Sequence, residues 1–456
     1  MLSNMNNYDL IIIGGGPAGI SCATSAAKNG VEKILLLERR NYTGGILNQC
    51  IHDGFGLLSK GTSLTGPEFA LSLEEELKNT NVQVETGAYV CSVNYDNAPY
   101  EVTYISNESQ LLACTGKSIV LATGCRERPY GSLRIPGTRP SGIFSAGSCQ
   151  YMMNVQNILP GKNVVILGLG DIGMIMARRL KIEGAKVKMI LGLEMTGLKR
   201  NFKNCVEDLK IPYKINHTIV SVHGHGRLKG VTIAPLDETK NPILDKSRYI
   251  PCDTLLVAAG LLPEDDLAPA CDKEGVFLCG NVHKIFSLVD HVKDEGTFIG
   301  LKAASYINRT TLVHDNQTSV TTDKALKSSI ADYEISDTDY VTCAKCPKEC
   351  HLHINKDENG NITVTGNNCP LGEQYALSLM EEPQTILTTT VKVKGKKFCL
   401  LPVRSTKPIP VSMIKEVMNI LKNSVVPVDV QNNFCLFENI CNTGADIIVT
   451  NKGNLV

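Results

Sequence analysis

Three groups of residues in this chain could do chemistry. Gly14, Gly16 and Gly19 stand in the spacing GxGxxG within LIIIGGGPAG, residues 10–19. Gly168, Gly170 and Gly173 repeat it within VVILGLGDIG, residues 164–173. Each follows a short apolar run and opens a segment of helical character. The first glycine allows a tight turn, the second lets a pyrophosphate approach the backbone, and the third lets helix and strand pack closely. Helix N–H groups and the helix dipole then hold the phosphate. Both units predict dinucleotide binding; the bland readings are a plain turn for the first and a relic without ligand for the second. In the first unit the next strand, Ile34–Leu37, ends at Glu38, which is placed to bond a ribose hydroxyl. In the second, the residue in the place of Glu38 is read as Leu191, and Glu194 lies three residues on. An acid there favours NAD and a base favours NADP. The choice stays open, with NADH preferred if Glu194 reaches the ribose.

The third group is a set of thiols. Cys343, Cys346 and Cys350 read C-x2-C-x3-C, and Cys369 follows further on. Four thiolates from one tight loop and one distant turn suit a [4Fe–4S] cluster. A structural zinc also takes four cysteines, although zinc ribbons usually pair two C-x2-C motifs. Pro follows Cys346 and Cys369 and cannot donate a backbone hydrogen bond there. His351 and His353 are alternative ligands, but solvated strand positions are the simpler reading. Most other cysteines are scattered and read as small apolar residues.

These residues need elements to position them. From residue 8 to about 310, buried strands alternate with helical segments and glycine turns, which is an α/β pattern. Each half also ends in a strand running into glycine: SIVLATG, residues 118–124, and DTLLVAAG, residues 253–260. Residues 311–340 are polar and rich in Ser, Thr and Asp, and read as a linker. Such a linker would let residues 341–456 approach the nucleotide sites or swing toward a partner. That last part opens with the cysteines and continues as short β-like runs, such as Thr388–Val393, with a helical stretch near Val411–Lys422.

Composition narrows the class. Basic and acidic residues number 46 each, so the net charge is zero, which argues against nucleic acid as a partner. No apolar run reaches the ~18 residues of a spanning helix. The N-terminus lacks the basic start of a signal peptide. The 17 cysteines fall well below the ~8–10% of a disulfide scaffold, so a reduced, cytoplasmic setting is expected.

Two GxGxxG units with ATG-type strands between them resemble the two-dinucleotide flavoproteins, the pyridine-nucleotide-dependent oxidoreductases. The resemblance implies FAD on the first unit and NAD(P)H on the second, with the second unit inserted in the first. It implies an FAD-binding domain at residues 1–125 and 253–310, and an NAD(P)-binding domain at 126–252. A linker, 311–340, and a small α+β Cys-cluster domain, 341–456, complete the chain. GVFLCGN, residues 275–281, matches the return element, with Asn281 where the family has an acid on the ribityl chain. FAD would then rest on Gly14, Gly16, Pro17, Ala18, Gly19, Glu38, Arg39, Gly45, Ala122, Thr123, Gly124, Gly280 and Asn281. NAD(P)H would rest on Gly168, Gly170, Asp171, Ile172, Gly173 and Glu194. Only 19 residues separate Gly260 from Gly280, where relatives usually carry a longer hairpin.

Finer motifs narrow the likeness. ATGCRERP, residues 122–129, and IPGTRPSGIFSAGSCQ, residues 135–150, look like the sarcosine oxidase alpha chains and the opine or cyanide-forming dehydrogenase subunits. GGILNQCIHDGFG, residues 44–56, and GLGDIGMIMARRL, residues 168–180, are similar to the oxidoreductase associated with anaerobic glycerol-3-phosphate oxidation. The stretch from Cys343 resembles the N-terminal cluster loop of molybdopterin oxidoreductases, but only about 84 residues follow Gly372, too few for a molybdopterin domain. The tail as a whole looks like a small CxxC domain of uncharacterised function.

Cys50 lies where some relatives place a redox cysteine. A thiolate would be the reactive form, and His52 and Asp53 could lower its pKa. It lacks the second cysteine of a CxxxxC relay, so contact with the flavin ring is the simpler role. The expected function is therefore an FAD enzyme passing electrons between NAD(P)H and a [4Fe–4S] centre. Its partner would be a flavoprotein that oxidises glycerol 3-phosphate. The alternatives are a stand-alone NAD(P)H oxidase or thiol/peroxide reductase using Cys50 with zinc in the tail, and a non-catalytic nucleotide-binding scaffold.

Overall fold

The computed structural model describes residues 6–308 except 109, and 340–451 except 347, 357–361, 380–381, 396–399 and 428–429. The linker read at 311–340 lies, but for its last residue, outside the described residues.

The strand Asn6–Ile13 is apolar along Leu10–Ile13 because both of its faces are covered. It runs parallel between Ile34–Glu38 and Leu111–Leu121. Gln83–Thr86 extends the sheet beyond the first of these, and an antiparallel pair, Tyr100–Ile105 and Tyr89–Asn94, extends it beyond the second. The chain leaves this sheet after Leu121 and returns as Val276–Leu278, parallel to Ile119–Leu121. On the way out and back, Cys125–Glu127 and Leu261–Pro263 pair antiparallel. Helices Pro17–Lys28 and Val289–Asn308 pack on each other at glycines. A Cβ on Gly296 would sit 2.5 Å from the Ala18 carbonyl oxygen, and one on Gly300 would sit 2.4 Å from that of Cys22.

Between the crossing strands lies a second sheet of five parallel strands. Its order is Ile143–Ser145, Thr254–Val257, Asn163–Leu169, Lys186–Met195 and Tyr213–Ile215. Three antiparallel strands spanning His217–Pro251 form a separate ribbon. The helix Asp171–Ile182 follows the central strand of the five.

The C-terminal part has two lobes. Val341–Thr342, His351–Lys356 and Ile362–Thr365 form a small antiparallel sheet, and helix Pro370–Ser378 packs with it around Leu352, Tyr375 and Ala376. Residues 384–451 form a mixed five-stranded sheet with helix Ile414–Asn423. This second lobe does not hang free, as a swinging domain would. Its Leu387, Val391, Val417 and Val449 share one apolar core with Met174, Leu180 and Ile182 of the second nucleotide unit. Two buried arginines cross the seam. Arg178 donates to Thr385 Oγ1 at 3.1 Å and to the Ile386 carbonyl at 2.7 Å. Arg179 donates to Thr389 Oγ1 at 3.0 Å. The lobe also touches the first unit, where Arg404 Nε donates to Glu68 Oε1 at 2.9 Å. Glu68 is itself half of the capping box that starts helix Gly66–Lys78 at Thr65.

Candidate functional site

The first glycine turn is built by close approach. Gly14 has φ +114°, and a Cβ there would lie 2.3 Å from the Ala122 carbonyl oxygen. A Cβ on Gly19 would lie 1.9 Å from the Gly14 carbonyl oxygen. Both positions need glycine to bring strand, turn and helix together. Gly16 is different: nothing stands within 4 Å of its Cβ position, and its φ of −78° suits any residue. It caps the helix Pro17–Lys28, so the open space faces a helix N-terminus. Gly45 leans in from the side, its Cβ position 3.1 Å from the Gly16 Cα. Glu38 is buried at the end of its strand, where Oε2 accepts from the Gly15 N–H and Oε1 from the Arg40 N–H, both at 2.7 Å. Arg39 points to solvent.

The return turn closes the same site. Gly280 has φ +75°, and a Cβ there would meet the Ala18 Cβ at 2.6 Å. Asn281 Oδ1 accepts from the Phe286 N–H at 3.0 Å, while its Nδ2 lies 3.5 Å from Cys125 Sγ. Thr123 Oγ1 donates to the Glu264 carbonyl, which leaves Ala122 and Gly124 lining the turn by backbone. The open space at Gly16, the tight glycines around it and the buried acid beside it fit a dinucleotide's pyrophosphate and ribose.

The second turn repeats the contacts. Cβ atoms on Gly168 and Gly173 would lie 2.2 Å from the carbonyl oxygens of Ala258 and Gly168. Two differences from the sequence reading appear. Leu191 pairs with Leu167 as Leu37 pairs with Ile13, so the residue in Glu38's place is Gly192, one position beyond Leu191. No side chain is available there, and Glu194 is exposed beyond it. Asp171 does not face outward from Gly170 and Ile172. Its Oδ1 accepts from the Leu198 N–H at 2.8 Å and from Asn201 Nδ2 at 2.7 Å. Burial pushes its carboxyl up, against those hydrogen bonds. Residues 196–201 thus lie over the start of the helix, with the Gly197 Cβ position 2.8 Å from the Asp171 nitrogen.

Cys50 is buried, and burial pushes its thiol up to about 12. His52 and Asp53 do not activate it, contrary to the sequence reading. Asp53 instead pairs with Arg200, and the Arg200 and Arg178 charges hold its carboxyl below the usual range despite burial. His52 turns toward the Asp53 carbonyl, with its pKa lowered to about 4 by burial. The Cys50 thiol meets Gln150 Oε1 at 3.7 Å.

That contact ends a buried polar chain absent from the sequence reading. Gln49 Nε2 donates to Gln150 Oε1 at 3.1 Å, and the Gln49 carbonyl accepts from Asn154 Nδ2 at 2.8 Å. Asn154 Oδ1 accepts from Arg179 Nε at 2.8 Å. All four residues are buried. The one local signal was a pair of polar residues, Gln150 and Asn154, four apart on one helix.

The thiols of the tail are gathered in part. The Cys343 thiol is raised first by burial, then by Cys346, Cys350 and Cys369 near it. The Cys343 N–H donates to the Cys350 carbonyl at 2.7 Å, and Asn368 Nδ2 lies 3.3 Å from Cys350 Sγ. Cys369 caps the helix Pro370–Ser378 and is exposed. The donor chemistry suits a cluster or zinc, yet among the described residues no three His, Cys, Asp or Glu side chains are arranged to hold a metal. The lobe that carries these thiols docks on the loop over the second turn: the Lys199 N–H donates to Glu349 Oε1 at 2.9 Å, and Lys199 Nζ to Thr342 Oγ1 at 3.1 Å.

Paired strand–glycine–helix units, one on the mixed first sheet and one on the parallel second, are the mark of a dinucleotide-dependent oxidoreductase. The chain belongs to the pyridine nucleotide-disulphide oxidoreductase family, which residues 8–290 match. This is a family of flavin-dependent enzymes. Residues 370–451 match a family described as a protein of unknown function, DUF1667. Hydrogen cyanide synthase subunit HcnB of Pseudomonas protegens is 25% identical over 57% of this chain and 57% of its own length. An opine oxidase subunit of Agrobacterium tumefaciens is 23% identical over 59% of this chain and 55% of its own. The chain thus spans little more than half of either relative. Thioredoxin reductase of Treponema pallidum is 24% identical over 66% of this chain and 98% of its own. The solved thioredoxin reductase of T. acidophilum shares the fold, with a TM-score of 0.53, 19% identity and cover of 66% of this chain and 98% of that one. Among the described residues no helix is long and apolar enough to cross a membrane.

Proposed function

We propose that this enzyme holds FAD on the first glycine turn and NAD(P)H on the second, and passes electrons between nicotinamide and a protein partner. The observation that carries this reading is the open space at Gly16, framed by Gly14, Gly19, Gly45, Glu38 and the return turn Gly280–Asn281. A bound flavin can take two electrons as hydride and release them singly. The protein's own part is to bind and shield. Gly16 and the helix behind it hold phosphate, Glu38 bonds a ribose hydroxyl, and Asn281 replaces the usual acid with a neutral donor and acceptor. On the second turn the Gly192 position leaves ribose recognition to Glu194 or to backbone, so discrimination between NADH and NADPH is modest.

In the tail, Cys343, Cys346, Cys350 and Cys369 are the ligands of a [4Fe–4S] centre in this reading, with zinc as the alternative. The backbone hydrogen bond from Cys343 to Cys350, and the contact of Asn368, next to Cys369, with the Cys350 sulfur, support it by bringing loop and turn together. The partner is a substrate-oxidising flavoprotein, of the kind that oxidises glycerol 3-phosphate. That two relatives are named as subunits supports an assembly of several different chains. A thiol relay through Cys50 has less support, because its sulfur is buried, protonated and without a partner cysteine in the sequence pattern.

An optical spectrum and metal analysis of anaerobically purified protein test the reading. Flavin bands bleached by NADH, with about four irons per chain as for one such cluster, are expected. Absent flavin overturns it, and one zinc without iron reduces it to a flavin reductase with a docking lobe. Cys50→Ser should still be reduced by NADH. Loss of reduction in that variant would restore the thiol mechanism.

A further inference from the structure

A cavity of about 230 Å³ lies at the seam between the second nucleotide unit and the C-terminal lobe. It sits at the C-terminal end of the helix Asp171–Ile182, whose other end carries the glycine turn. Twelve residues of helix separate the two by roughly 18 Å, so this is not the nucleotide site. Its walls have two chemistries. Met153, Leu400 and Leu421 make an apolar face, and Ile158 and Leu159 stand at its mouth, 43% and 41% exposed. Arg179, Lys392, Lys422 and Glu183 make the charged face.

The charges do not balance. Glu183 is the only acid on the wall among the described residues, and two cations already share it. Arg179 Nη1 reaches its Oε1 at 2.5 Å, and Lys422 Nζ lies 3.3 Å from its Oε2. Lys392 has no ion-pair partner among the described residues. Arg179 is 6% exposed, and its Nη2 has only a long contact, 3.4 Å, to Thr390 Oγ1. A buried guanidinium keeps unspent donor capacity only at a cost. The surplus is positive, one wall is apolar, and the space falls below the ~300–1,000 Å³ of pockets that take drug-sized ligands.

We propose that this cavity is a binding site for a small organic anion, a short apolar body ending in a carboxylate or phosphate head. The head meets Lys392 and the free edge of Arg179, and the body lies on Met153, Leu400 and Leu421. A free inorganic anion would leave the apolar wall unused, and an organic cation would meet two uncompensated positive charges.

Titration calorimetry on the full-length protein, saturated with FAD and NAD⁺, tests this with four probes. Hexanoate and butyl phosphate are expected to bind saturably, one per chain. Inorganic phosphate has the head without the body, and hexylamine the body with the opposite charge. Both are expected to bind at least about tenfold more weakly, the worth of ~1.4 kcal/mol. Lys392 is exposed and unpaired, so Lys392→Glu should leave the melting temperature unchanged while weakening the organic anions at least about fivefold. Leu159→Asp, at the mouth, should do the same without touching the charged face. Any one of three results overturns the proposal: no saturable binding of either organic anion, equal binding of inorganic phosphate, or unchanged affinity in both variants.

Discussion

Single residues divide here into those the fold needs and those a ligand needs, and the two kinds give different failures. A Cβ on Gly19 would land 1.9 Å from a backbone oxygen, whereas one on Gly16 meets nothing. Gly16→Val should therefore purify folded, with a melting temperature near that of the flavin-free parent, but without flavin. Gly19→Ala should lose stability by several kcal/mol, in the range of severe backbone clashes. Flavin absorbance per chain and a melting curve separate them, and a Gly16→Val protein with full flavin would dismiss the site. His52 gives a pH signature. Its folded pKa of about 4 lies below the ordinary value of 6.5, so the unfolded chain binds the proton more readily. Stability is then highest above pH 6.5 and is lost as pH falls toward 4, by at most about 3 kcal/mol. Denaturation at stepped pH should show this slope, and His52→Gln should flatten it. The same burial explains why Cys50 misleads when read from sequence. Neighbours in the chain suggested activation, but the carboxylate beside it is taken by Arg200, about 150 residues away.

Elements were legible where their signals are local. In both units a glycine spacing and a buried apolar run lie within thirty residues of one another, and in the first a terminal acid as well, so both strand–glycine–helix units could be read directly, while the residue in the acid's place in the second was misread by one position. The chain from Gln49 through Asn154 to Arg179 could not, because its members come from three separate elements and meet only after the sheets have formed. Arg179 is its far anchor and also holds Glu183 and Thr389. Arg179→Met fits the space but strands the Asn154 and Thr389 oxygens and leaves Glu183 to Lys422 alone. Breaking a buried pair from one side typically costs about 3–5 kcal/mol, which urea denaturation would register. A loss below 1 kcal/mol would mean that the chain is incidental to the packing. The helix Ile414–Asn423 shows the other limit of sequence. Its apolar stripe, Ile414, Val417, Met418 and Leu421, states that something covers it. Nothing in the stripe states that the cover includes the helix of another unit.

At the scale of the whole molecule, the second nucleotide unit and the last lobe are one body with one core. Calorimetry of the full chain should therefore show these parts unfolding in a single transition, since neither buries its apolar face alone. Two separate endotherms, one lost on unfolding residues 384–451 only, would contradict the shared core. The arrangement also bears on how the chain is made. Leu180 and Ile182 leave the ribosome long before Leu387, Val417 and Val449, which complete their packing. At about 5–20 residues per second, that interval is on the order of 15–50 s. For this time the nascent second unit must present an unfinished apolar face while the first sheet, too, awaits its returning strand Val276–Leu278. The first unit closes earlier, so synthesis leaves one surface to be guarded last. That surface is covered only when residues 384–451 have emerged and packed on it.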